Sequence, residues 1–335
     1  MTSAVTGRQI RFADDVAPQV RGELLDLLGS WLGPGEAATV ALLTGGASNQ
    51  NFRIESARAT MVLRLAARDV ARFGVQRDRS LAAHRAAAEA GLAPQLIRAD
   101  ERTGDCLSML VPGETLTPGR AREPEVLATI GFALRRLHQL APAIGRWSVF
   151  DDVRRNIATA LDEGLRLPLD IDLLLGRLTQ AEAVFQRLQV ADALCHNDLQ
   201  PQNLILGGNV VTVVDWEYSA LGNPYFDLGG LSVNIDLSRD GEAFLAQQYF
   251  RHAAPEHLAR IRLMRVASAM REATWAVIAG PVLNLDWDYD EWADSFFARA
   301  REQCAEPHFS RCLREALQGA PAGPASPGGP GPPPS

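Results

Sequence analysis

The chain has 335 residues, 47% hydrophobic and 22% charged, long enough for two subdomains around separate cores. A net charge of −7 argues against a nucleic-acid partner but not against a small anionic ligand in a local pocket. Four cysteines with no CxxC pair, no apolar leader and no run of membrane length predict a cytoplasmic protein without disulfides, zinc or membrane insertion.

In chain order, apolar residues recur at helical spacing over 16–32 and stop at Gly33-Pro34-Gly35. The stretch 40–56, VALLTGGASNQNFRIES, reads as strand, glycine turn and strand, and TMVLRLAA (60–67) as a third strand. An Ala-rich helix over 79–94 ends at Gly91 and Pro94. LIRAD (96–100) and CLSMLVPGETL (106–116) complete a five-stranded antiparallel sheet, with a hinge at Val111-Pro112-Gly113. Beyond it the pattern turns helical: 123–142 with Ile130, Ala133, Leu134, Leu137 and Leu140 on one face, then about 151–188, then about 241–317. Two short strands, LIL (204–206) and VVTVV (210–214), interrupt the helices. The Pro/Gly-rich end, 319–335, has too little apolar content to join a core and reads as disordered. The expected organisation is α+β and bilobal. Residues 1–111 form a small β lobe that binds nucleotide, and 112–318 a larger, mainly helical lobe for catalysis and acceptor binding, with a cleft between them.

The stretch 194–231, LCHNDLQPQNLILGGNVVTVVDWEYSALGNPYFDLGGL, crowds acids and amides beside these strands. Asp198 and Asn203 have the spacing of a kinase catalytic loop, and Asp215 emerges at the end of VVTVV. Phosphoryl transfer needs a carboxylate to accept the nucleophile's proton and oxygen ligands for Mg²⁺. Asp198 is the candidate base. Asn203 and Asp215 are the candidate metal ligands, with Glu217 helping to hold a second ion. Taken singly, Asp198 and Asn203 are better explained as turn formers and Asp215 as a helix cap; the three together point to the kinase chemistry. Cys195, next to His196 on a strand, reads as a buried structural thiol because strand neighbours face opposite ways.

LCHNDLQPQNLIL followed by VVDWEYSALGNPYFDLGGL resembles the aminoglycoside phosphotransferase and choline kinase superfamily, nearest its choline/ethanolamine kinase branch. GGASNQNFRIE and REATWAVIAG…LDWDYDEWADSFFARA extend the resemblance over most of 40–300. It implies a protein-kinase-like fold, ATP and Mg²⁺, and transfer of the γ-phosphate to a hydroxyl of a small cationic amino alcohol. It also implies that Asp227 braces the catalytic loop from behind, where His196 supports the loop through hydrogen bonds. An aminoglycoside or thiamine phosphotransferase and a catalytically silent nucleotide-binding protein are the alternatives.

On the nucleotide side, Gly46 permits a tight turn whose amides approach phosphate, and Ser48 and Asn49 add donors. A plain hairpin turn explains the same residues. All 33 basic residues are arginine, so the phosphate-facing cation expected on the third strand is Arg64, whose guanidinium suits bidentate phosphate binding; an exposed strand residue is the alternative. Ser80 stands where the family's glutamate partner of that cation is expected, and Asp78 is a possible substitute. Adenine is expected against backbone between Met109 and Val111. His138 reads as a helix-packing residue. For the acceptor, the resemblance places Trp275 at a choline-cage tryptophan. Glu272 stands at a second cage tryptophan and Asn234 at a glutamate, and Tyr289 adds an aromatic. Any of these aromatics alone reads as helix packing; Trp275 with Glu272 fits packing and ligand contact alike.

Overall fold

The structure is a computed structural model that describes residues 10–33, 35–43, 49–68, 70–283 and 287–318. The expected roles of Gly46 and Ser48, and the tail 319–335, fall outside the described residues.

The first half builds β1 (Ile10–Phe12), α1 (Pro18–Trp31), β2 (Ala38–Leu43), β3 (Gln50–Ser56), β4 (Thr60–Leu65), α2 (Arg77–Glu89), β5 (Leu96–Ala99) and β6 (Cys106–Met109). These strands form one sheet in the order β1-β2-β3-β4-β6-β5. The expected five antiparallel strands are therefore six, and the added one, β1, runs parallel to β2 with Ile10 opposite Ala38. Three residues, IRF, are too few to show a period of two, so β1 left no readable pattern. Alternation does explain β4, where Met61, Leu63 and Leu65 are buried and Val62 and Arg64 take the other face. One core joins Leu24 and Leu28 of α1 to Val40, Phe52, Ile54, Leu63 and Leu107 of the sheet.

The chain then leaves the sheet at the hinge. Glu114 and Thr115, expected to extend the first sheet, instead form β7 and pair with Leu206 and Ile205 in a second sheet. The break has a steric cause: a Cβ at Gly113 would lie 2.6 Å from the Leu206 carbonyl oxygen, so only glycine lets the two backbones approach.

The helical part contains α3 (Pro118–Ala121), α4 (Pro124–Leu137), α5 (Val149–Asp162), α6 (Ile171–Leu188), α7 (Pro224–Asn234), α8 (Arg239–Phe250), α9 (Pro255–Ala279), α10 (Tyr289–Gln303) and α11 (His308–Ala316). The single helical region expected over 151–188 is two helices, parted around Gly164, which has φ 66°. Helix α9 is buried on nearly every side from Ile261 onward, and the charged residues it buries there, Arg265, Arg271 and Glu272, are ion-paired. Between α6 and α7 lie β8 (Ala193–Cys195), β9 (Leu204–Gly207), β10 (Val210–Val213) and β11 (Ala220–Gly222). β9 and β10 form a hairpin in register Leu204–Val213, extended by β7, while β8 pairs with β11. These short ladders hold the ends of 194–222 together, so the polar residues between them converge. The α2 residues Ala83 and Ala87 pack with the helical core and not with the first sheet's core.

Candidate active site

Asp198 leaves β8 through a backbone that departs from ordinary geometry. Asn197, just before it, has φ 64°, a left-handed conformation that asparagine tolerates better than most residues. Two backbone bonds and a side chain hold this turn. Asp227, in the first turns of α7, accepts from the His196 amide and the Asn197 amide, each at 2.8 Å. Helix α7 starts where Asn223 caps the Tyr225 amide and Pro224 opens the first turn. The His196 ring donates from Nε2 to the Val214 carbonyl at 3.0 Å, and burial depresses its pKa, so a neutral imidazole ties the two strand ends together. Cys195 is buried, and burial pushes its thiol up, which keeps it inert.

A third donor reaches Asp227 from a residue whose sequence suggests packing alone. His138 Nε2 lies 3.0 Å from Asp227 Oδ2, and His138 Nδ1 lies 2.7 Å from the Tyr249 hydroxyl. Nothing in RRLHQL signals this contact, which bridges 89 residues.

Both oxygens of Asp198 are engaged. Asn203 Nδ2 donates to the Asp198 carbonyl at 2.9 Å and to Oδ2 at 3.2 Å. Arg271 of α9 donates from Nη1 to Oδ1 at 3.4 Å and to Glu272 Oε1 at 2.8 Å. Burial, opposed by Arg271 and reinforced by Glu272, Asp215 and Glu217, raises the Asp198 carboxyl to about 8. Burial works against the charge of Arg271 itself, but Glu272 and Asp198 outweigh it and raise its pKa.

Asp215 follows β10 with φ 63°. Its Oδ1 accepts from Arg64 Nη1 at 3.1 Å, so the acid that Arg64 meets is neither Asp78 nor a residue at position 80. Ser80 turns its hydroxyl to the Arg77 carbonyl. From α2, the side chain that lines the cleft is His84, which bonds to the Pro94 carbonyl and is held neutral at about 4 by burial. Asn49 does not line the cleft. Its Nδ2 donates to Glu217 Oε2 at 2.8 Å and its Oδ1 accepts from the Ala67 amide at 3.1 Å, coupling the start of β3 to the 215–217 segment.

These groups surround one cleft of ≈ 560 Å³ between the sheet and the helices. Arg64, Met109, Val111, Asp198, Asn203, Asp215, Glu217, Glu272 and Trp275 all line it. Two residues expected in the acceptor pocket do not. Asn234 instead donates from Nδ2 to the Leu199 carbonyl at 3.2 Å, because the end of α7 lies beneath the catalytic loop. Tyr289 is buried with its ring centroid 6.3 Å from that of Trp275, and Trp287 and Trp292 are the α10-side aromatics on the wall. Tyr218 and Arg271, not anticipated from the sequence, also face the cleft. Tyr218 accepts from the Trp275 indole at 3.0 Å, and the Arg271 guanidinium lies 4.3 Å from its ring centroid. The readable trace of Arg271 was a charged doublet, Arg271-Glu272, inside an apolar helix.

A model of the phosphotransferase enzyme family matches residues 39–264, more than half of the chain. The chain belongs to that family. Among solved structures, this phosphotransferase-family chain resembles a choline/ethanolamine kinase family protein from Mesorhizobium loti, at TM-score 0.76 and 25% identity over 90% of this chain and 99% of that one. Choline kinase LicA from Streptococcus pneumoniae aligns at TM-score 0.71 and 17% identity over 85% and 98% of the two chains, a likeness of fold. Protein LicA of Haemophilus influenzae is 27% identical over 220 residues, 64% of this chain and 63% of that protein. The fold is thus the bilobal, protein-kinase-like one. Among the described residues no helix is long and apolar enough to cross a membrane.

Proposed function

We propose that this chain is a small-molecule kinase that transfers the γ-phosphate of Mg-ATP to an acceptor hydroxyl. The observation that carries this reading is the meeting of Asp198, Asn203, Asp215, Glu217 and Arg64 on one cleft, from positions spread over the two lobes. Asp198 takes the proton from the acceptor hydroxyl as its oxygen bonds to the γ-phosphorus and the bond to ADP breaks. Asn203 and Arg271 aim its carboxylate by binding both oxygens.

The donor set suits Mg²⁺, which prefers hard oxygen ligands. Asn203 has its amide N–H on Asp198, which leaves its oxygen as the donor atom, and Asp215 and Glu217 add carboxylates. Bound there, the ion would neutralise charge on the transferring phosphates. Arg64 supplies the fixed cation for the phosphates, and the backbone from Met109 to Val111 an edge for adenine; Gly46 and Ser48 belong to the same nucleotide reading. The acceptor is a cationic amino alcohol of choline or ethanolamine type. Glu272 and the ring of Trp275 on the cleft wall favour an ammonium.

The test is ADP formation from Mg-ATP with choline, ethanolamine, thiamine, aminoglycosides and simple sugars, using Asp198→Asn as control. We expect turnover with one acceptor class, and a loss of at least about a hundredfold in the variant with nucleotide binding retained. Full turnover by Asp198→Asn would remove the base assignment. Mg-ATP binding with no turnover of any acceptor would favour a silent nucleotide-binding protein.

A further inference from the structure

The acceptor end of the cleft already contains a cation. Arg271 has only 3% of its side chain exposed, and it arrives at the wall ion-paired to Glu272. Its Nε and Nη2 are buried and hydrogen-bond to nothing among the described residues; the nearest acid to Nε, Asp152, stands 4.0 Å away. The Trp147 indole and Arg155 both bond to Asp152 Oδ1, so its Oδ2 is the oxygen that faces Arg271 Nε, and Nη2 is the donor left without an acid. A second donor on the same wall, Trp292 Nε1, is also buried without a partner.

A guanidinium cannot neutralise itself by losing a proton, so orphaned N–H groups on it signal an acceptor that belongs there. The most favourable acceptor is an anionic oxygen, preferably a planar carboxylate. A wholly anionic substrate would nevertheless face Asp198, Glu272, Asp215 and Glu217 on the same cleft. A wholly cationic one meets the opposite difficulty. Glu272 is occupied at 2.8 Å by Arg271, and the aromatic face of Tyr218 is covered by the same guanidinium. A molecule with both charges resolves the two conflicts. Its ammonium shares Glu272 while its carboxylate takes the free Nη2 N–H groups of Arg271, and the net charge of the wall does not change.

Building on the kinase reading above, we propose that Arg271 is a specificity-determining residue. This narrows the amino alcohol proposed above: the acceptor keeps its ammonium and hydroxyl and carries a carboxylate as well, which makes it a zwitterion. The carboxylate docks on Arg271 and the ammonium on Glu272, which presents the hydroxyl to Asp198 beside them.

The experiment uses the full chain and matched acceptors that differ only by the carboxylate: serine against ethanolamine, and homoserine against 3-aminopropan-1-ol, with choline alongside. The wild type should favour the carboxylate-bearing member of each pair by at least about tenfold in kcat/KM, the scale of one hydrogen bond to a charged group. Arg271→Met should abolish that preference, and Arg271→Lys should retain part of it, through KM more than kcat. Equal or better turnover of the carboxylate-free partner by the wild type would overturn the proposal and leave the kinase reading intact. A preference unchanged in Arg271→Met would overturn it too. So would an equal loss for every acceptor together with a raised KM for ATP, which would assign Arg271 to the phosphates. No ADP from any acceptor, with wild type and Asp198→Asn alike, would sink the kinase reading itself. If Arg271→Met does not fold, the wild-type ratios and Arg271→Lys still decide.

Discussion

Asp227→Asn is the most informative change to the support of the catalytic loop. The Asp227 carboxylate is 1% exposed and accepts the His196 amide, the Asn197 amide and His138 Nε2 at 2.8, 2.8 and 3.0 Å. An asparagine keeps the shape but has one acceptor oxygen, so its NH₂ must face at least one N–H donor. The loss combines one hydrogen bond to a charged group, about 1.5–3 kcal/mol, with one orphaned buried donor, about 1–3 kcal/mol. A total of about 3–5 kcal/mol is a large part of a typical domain's stability. Because Asn197 holds a left-handed backbone that Asp227 pins, the loop should relax first and move Asp198. Urea denaturation followed by fluorescence measures the stability, and ADP release measures kcat. The reasoning fails if the variant keeps its denaturation midpoint within about 1 kcal/mol, or keeps wild-type kcat.

Two further outcomes are expected. Gly229→Ala in α7 would put a Cβ 2.7 Å from the Met264 carbonyl carbon of α9, so thermal unfolding should report a loss of about 1–3 kcal/mol from overpacking. The Asp198 carboxyl, raised to about 8 chiefly by burial, must be ionised to act as base; kcat/KM for Mg-ATP should therefore climb with pH up to that region. Glu272→Gln removes a negative neighbour and should move this limb to lower pH, and Arg271→Met should move it to higher pH. A limb indifferent to Glu272→Gln would assign the titration to another group.

What could be read in advance separates by sequence distance. Asp198, Asn203 and Asp215 lie on one strand–loop–hairpin unit, so their spacing alone states that they meet. Leu24 and Leu28 of α1 and the alternation of β4 were legible for the same reason: local period reports which face is buried. The contacts that complete the site are long-range. Arg64 reaches Asp215 across 151 residues and Asn49 reaches Glu217 across 168. No local pattern encodes such a pairing, which is why the partner of Arg64 stayed open and Asn49 was read as a phosphate donor. Asn234 and Tyr289, expected near the acceptor, do not line the cleft. A likeness of motif gave each a place near the acceptor, but the rotation of α7 and α10 decides which face looks into the cleft.

The two buried arginines give the site a common logic. Two of the cleft acids are each met by a guanidinium from a different element, Asp215 by Arg64 of β4 and Asp198 by Arg271 of α9. Arginine is rarely fully buried without a partner, and unlike lysine or histidine it keeps its charge on burial. Both positive charges therefore persist across the pH range in which the acids titrate. That permanence lets four carboxylates share one cleft before any substrate enters, and it has a chemical consequence. On the kinase reading proposed above, a phosphate chain would share Arg64 with Asp215, and an acceptor carboxylate would share Arg271 with Asp198 and Glu272. On that reading each substrate would meet a guanidinium that a carboxylate already holds in place.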